Sequence, residues 1–136
     1  MTRTTAKIAA ALTAMMLGLG AAPAMAGGQI SFGFAPTDPG QARALDTGLQ
    51  MFSLFQGLSS GGANVYQNGS NNGAGFDQDG RDNRGLVYQD GDGHTGTITQ
   101  RGNNNSCGLF QFGRASNAQC AQFGNNQSGI TTVFGF

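Results

Sequence analysis

The sequence predicts an all-β chain: a β-solenoid of 11-residue strand-and-arc units, two per 22-residue rung, preceded by a short amphipathic helix. Three observations predict it. Glutamine stands at 67, 78, 89, 100, 111 and 122, with glycine two residues after each, at 69, 80, 91, 102, 113 and 124. Within each unit a small residue, an apolar residue and the glutamine occupy alternate positions, which is the period of a strand with all three on one face. The position just before the glutamine alternates between units. It reads Tyr66, Tyr88 and Phe110 in one set, and Asp77, Thr99 and Ala121 in the other. The chain therefore distinguishes two faces, as a rung of two strands requires.

The elements follow in order. Residues 1–26 read as a secretory signal: Arg3 and Lys7 at the start, an apolar run from Ile8 to Gly20, and an A-x-A exit with cleavage after Ala26. A retained membrane helix would be short and broken by glycine. Residues 27–38 open on glycines and are expected to be flexible. Residues 39–62 form a helical segment. Asp38 suits the N-cap, Pro39 the first turn, and Gln41 the capping-box position. A stripe of Leu45, Leu49, Phe52 and Phe55 supports a helix over about 39–58 that could cover the open end of the first rung. Residues 63–136 are the solenoid.

Each column of the repeat has a physical task. Gln67, Gln78, Gln89, Gln100, Gln111 and Gln122 can form inward amide ladders from rung to rung. Val65, Phe76, Val87, Ile98, Leu109 and Cys120 supply the apolar core. Ala63, Ala74, Gly85, Gly96, Cys107, Ala118 and Gly129 keep the two sheets close. Gly69, Gly80, Gly91, Gly102, Gly113 and Gly124 open turns, and Asn72, Asn83 and Asn105 recur five residues after their glutamines. Tyr66, Tyr88 and Phe110 are expected to form an exposed aromatic ladder, a candidate contact surface. Asp79 is expected above Arg101 as a surface ion pair. In the last copy Val133 takes the glutamine slot.

Other sites carry less. "QDGDGHTG" (Gln89 to Gly96) suggests calcium through Asp90 and Asp92, but a calcium solenoid repeats every nine residues and this chain every 11. His94, the only histidine, occupies an asparagine slot. Thr97 and Thr99 make a single Thr-x-Thr, with no flat threonine face. Cys107 and Cys120 both point inward, and export would permit a disulfide. They lie diagonally across the core, where sheets about 10 Å apart exceed the usual 4.4–6.8 Å Cα reach; a thin core narrows that gap.

After the leader the chain holds five arginines against seven aspartates and no lysine or glutamate, which excludes a basic nucleic-acid footprint. No constellation supports an enzyme, a cofactor, a metal or a small-molecule substrate. The run Gln67-Gly69-Asn72-Ala74-Gln78 matches Q-x-G-x-x-N-x-A-x-x-x-Q and resembles the curlin repeat family, the subunits of bacterial curli amyloid fibres. The copy from Gln78 keeps Gly80, Asn83 and Gln89 with Gly85 for alanine. Later copies place His94, Ser116 and Gln127 in the asparagine slot. The resemblance implies a secreted structural subunit that self-assembles into extracellular fibres for adhesion and biofilm. It also implies other curli subunits and an outer-membrane secretion pore as partners. A nucleator or accessory subunit, or a capped monomeric solenoid used for binding, are the alternatives.

Overall fold

The computed structural model describes residues 28–58 and 61–136; the expected leader over 1–26 lies outside the described residues. Strand β1 spans Gln29–Phe34 and helix α1 Pro39–Phe55. Seven strands follow: β2 Gly62–Asn68, β3 Gly73–Asp79, β4 Arg84–Asp92, β5 Thr95–Arg101, β6 Ser106–Arg114, β7 Asn117–Phe123 and β8 Ser128–Gly135. They wind as a β-solenoid with the helix ahead of the repeats, as the 11-residue period predicts. The even-numbered strands stack in one sheet with β1 at its edge, in the order β1-β8-β6-β4-β2, and β3, β5 and β7 form a second, β3-β5-β7. Every neighbour within the solenoid is parallel and offset by 22 residues, so Gln67 lies beside Gln89 and Gln78 beside Gln100.

The interior is thin because the small column is small. A Cβ on Gly85 would lie 2.6 Å from the Phe76 ring, and one on Gly96 2.7 Å from Gln111 Oε1. Side chains of one sheet thus reach the backbone of the other. Val87, Ile98, Cys107 and Leu109 form the buried centre, with Phe76, Ala118 and Cys120 against it. Val65 departs from its expected core place and is 39% exposed. It belongs to the first rung, and among the described residues no rung lies below it.

Two expectations for the N-terminal third need correction. The stretch expected to be flexible contains β1, which pairs antiparallel with β8, Gln29 opposite Gly135 and Phe34 opposite Ile130. Glycine content hid a period-2 run in which Ile30, Phe32 and Phe34 alternate with Gln29, Ser31 and Gly33. The helix does form, capped by the Asp38 carboxylate, which accepts from the Gly40 and Gln41 N–H groups at 2.8 and 3.0 Å. However, it lies along the outward face of the five-stranded sheet and does not sit over the first rung. Its buried residues are Ala42, Leu49 and Ser53. Leu49 occupies the space over Gly108, where a Cβ would come within 2.5 Å of its methyl group. Asp46 receives Arg84 at 3.2 Å and the Ser106 hydroxyl. Phe55 is 84% exposed. The apolar stripe misled because the helix contacts the sheet partly through small residues, which let it sit close.

Candidate stacking interface

The glutamines form two inward ladders. Nε2 of Gln67 donates to Oε1 of Gln89 at 2.7 Å, and Gln89 to Gln111 at 2.8 Å. On the other sheet Gln78 donates to Gln100 at 2.6 Å and Gln100 to Gln122 at 2.8 Å. The second N–H crosses the core. Gln89 donates to the Gly73 carbonyl, Gln100 to Arg84, Gln111 to Thr95 and Gln122 to Ser106, at 2.9–3.0 Å. Each such amide thus holds a neighbouring rung and the facing sheet together. Gln89, Gln100 and Gln111 are fully buried, so these bonds have no water to compete with them. Val133 ends the first ladder, and Gln111 also donates to the Ser116 carbonyl at 3.0 Å.

The arcs are stitched by asparagine. Asn72 Nδ2 donates to the Gly91 carbonyl at 2.8 Å, and its Oδ1 accepts the His94 N–H at 3.0 Å. Asn83 repeats this with Gly102 and Asn105, and Asn105 with Gly124 and Gln127. Asp90 and Asp92 are occupied by rung contacts: Asp90 accepts Asn68 Nδ2 at 2.9 Å and Asp92 the Ser70 N–H at 2.7 Å. Arg101 pairs with Asp77 at 3.4 Å instead of with Asp79, its register neighbour; the pair is well exposed and worth under about 1 kcal/mol.

His94 is the irregular member of the asparagine column. It is completely buried, and its Nδ1 accepts the Ser116 N–H at 3.4 Å and lies 2.8 Å from the Ser116 hydroxyl. That leaves Nε2 as a buried atom without a partner among the described residues. The column's geometry gives an asparagine here the Gly113 carbonyl as acceptor. His94→Asn is expected to stabilise the fold by about 1 kcal/mol, since a buried unsatisfied donor costs roughly 1–3 kcal/mol and the smaller side chain returns part of that gain. Chemical denaturation of both chains measures the difference; a less stable variant would mean that the imidazole's volume matters more than its missing bond.

One column escaped the sequence reading. Four residues after each glutamine the backbone is left-handed: Asn71, Asp82, Gly93, Asn104, Ala115 and Asn126 have φ between 46° and 72°. Asparagine, aspartate and glycine tolerate that conformation; alanine does not, at about 1–2 kcal/mol. The run Asn, Asp, Gly, Asn, Ala, Asn was visible at 11-residue spacing. Ala115→Asn should raise stability by about 0.5–1 kcal/mol, seen as a higher denaturation midpoint with an unchanged slope.

The outward aromatics stack as a ladder, Tyr66 on Tyr88 at 4.7 Å and Tyr88 near Phe110 at 5.9 Å. They are not the free face expected. Phe52 of α1 sits edge-on against Tyr88 at 5.6 Å and Phe110 at 5.2 Å, and all three ladder rings are half-buried. Desolvation, followed by the neighbouring Tyr66 and Asp90, holds the Tyr88 phenol above its ordinary pKa. Cys107 and Cys120 are joined in a disulfide with their Cα atoms 6.6 Å apart. The thin core closes the diagonal gap and ties β6 to β7.

The two ends of the solenoid differ. At the N-terminal end β2 and β3 are the edge strands of their sheets. At the C-terminal end β1 covers β8, and the Gln29 amide reaches β7: Nε2 donates to the Asn117 carbonyl at 3.1 Å and Oε1 accepts the Asn117 N–H at 3.0 Å.

No curated protein and no solved structure matches this chain. The family model of the curlin associated repeat matches it twice, over residues 62–91 and 80–113. Those residues are β2 to β6, with the ladders just described, so over this stretch the chain carries the curlin associated repeat, the repeat of a family of structural fibre subunits.

Proposed function

We propose that this chain is a secreted structural subunit that assembles end to end into extracellular curli-like amyloid fibres, serving adhesion and biofilm on the bacterial surface. The observation that carries this reading is the open N-terminal edge. There β2 and β3 present parallel-pairing backbone and the partly exposed Gln67 and Gln78 amides, the same features that join them to β4 and β5 and those strands to β6 and β7. Such an edge is a template for another strand. The leader expected over 1–26, and the secretion pore and companion subunits implied by the family, belong to the same reading.

The seven solenoid strands make three and a half rungs. A stack that keeps the 11-residue phase therefore places the next copy's β2 over β7 and its β3 over β8, turned by half a turn about the fibre axis. Gln67 of that copy then follows Gln122, and the helices alternate sides along the fibre. At about 4.8 Å per rung, each chain advances the fibre by about 17 Å. A second reading, a closed monomeric solenoid used for binding, is favoured by β1, which occupies the edge of β8.

The test is to incubate the chain from Gly27 onward and examine it by electron microscopy and fibre diffraction. Fibres with a 4.7–4.8 Å meridional reflection support the first reading. A chain that stays monomeric even with preformed seeds supports the second.

A further inference from the structure

We propose that β1 is a detachable plug: it closes the C-terminal edge of the solenoid against a second copy of this chain, whose β2–β3 edge takes its place when the segment leaves. This rests on the fibre reading and adds the device that holds assembly back.

The segment is built to end a stack. Its direction is opposite to every other strand of its own sheet, and it carries no glutamine in phase, so neither amide ladder continues through it. Phe136 N–H donates to the Gly28 carbonyl at 2.8 Å. By antiparallel alternation, Ile30, Phe32 and Phe34 then direct their N–H groups at β8. Gln29 closes β7 at Asn117 with its amide in place of backbone. One short segment thus blocks both sheets.

The same segment is weakly held. Ile30, Phe32 and Phe34 remain 49%, 51% and 48% exposed, so their burial is incomplete. Among the described residues no strand of the second sheet faces β1 across the core, since β7 is the last strand there. An incoming copy offers more: two seven-residue strands, one on each sheet, with the glutamine and asparagine ladders that go with them. Exchange of a six-residue strand for these is downhill, while the link through residues 35–38 to the anchored α1 keeps the plug at high local concentration until a partner arrives.

Seeded elongation decides the matter, using fibres of the unsubstituted chain as seeds. Ile30→Pro with Phe32→Pro removes two N–H groups facing β8. If the plug is closed nine-tenths of the time, elongation should rise roughly tenfold. A Cβ on Gly33 would lie 4.0 Å from the Thr131 hydroxyl, so Gly33→Cys with Thr131→Cys can bridge β1 to β8. The oxidised chain should not elongate. After reduction it should match the unsubstituted chain treated with the same reductant, a control that accounts for Cys107–Cys120. If the unsubstituted chain forms fibres but the bridged chain elongates equally fast, or the proline chain gains nothing, the plug is overturned and the fibre reading stands. If no chain, opened or not, forms fibres on any seed, the fibre reading falls and the plug with it.

Discussion

Replacing Gln89 and Gln100 together by alanine should lower the stability of the fold by about 4–8 kcal/mol. The figure is built from the bonds each change breaks. Without the Gln89 amide, Gln111 Oε1 loses its donor, the Gly73 carbonyl loses its partner across the core, and Gln67 loses its acceptor. Gln100 does the same for Gln122, Arg84 and Gln78. Gln67 lies at the exposed end and can turn to water, so its loss counts for little; Gln111 is fully buried and cannot. A stranded buried acceptor and the cavity left by the deleted amide give about 2–4 kcal/mol at each site. Domains of this kind have about 5–15 kcal/mol in total, so the double variant should be largely unfolded in mild denaturant. Gln119→Ala is the matched comparison. It is the same change in a strand, on the exposed face of β7, and should cost under about 0.5 kcal/mol. Equal losses from the two would mean that the ladder contributes no more than strand propensity. Circular dichroism during urea titration gives both values.

What could be read from the sequence was what repeats. The strand period and the 22-residue offset follow from columns that recur, and the helix from its own apolar period behind the Asp38 cap. A solenoid sets each residue's surroundings by its place in the rung, so one phase assigns many positions together. What the sequence hid was whatever occurs once. Strand β1 has no repeat to announce it and finds its partner about 100 residues away in the chain. The path of α1 depends on Gly108 leaving room for Leu49 and on Asp46 meeting Arg84, contacts between segments with no common period. The left-handed column was legible and went unread because its residues also suit ordinary turns. The disulfide needed the sheet spacing, which follows from how far Phe76 reaches over Gly85.

Gly124→Ala is expected to separate folding from stacking, with the larger effect on stacking. Gly91, Gly102 and Gly124 have φ of 132°, 118° and 128°. A Cβ on either of the first two would lie 1.9 Å from the carbonyl oxygen of the glycine one rung on. At Gly124 the chain supplies no such glycine. Among the described residues a Cβ there meets only the Gln127 side chain, its Nε2 at 3.1 Å, the far end of an exposed, flexible side chain that donates to the Phe123 carbonyl. In the lone chain Gly124→Ala therefore carries backbone strain alone, about 1–3 kcal/mol. Gly91→Ala carries that strain and an overpacking cost of about 1–3 kcal/mol more. In a stack that keeps the 11-residue phase, Gly69 of the next copy takes the vacant place above Gly124. The collision then appears at every junction, and a cost near 1.4 kcal/mol slows net elongation about tenfold. The variant should thus remain a folded, disulfide-bonded monomer that extends seeds poorly. Denaturation midpoints report the first property and seeded growth the second. If the variant extends seeds as fast as the unsubstituted chain, successive copies do not meet in continuous phase at this edge, and the half-turn stack is wrong.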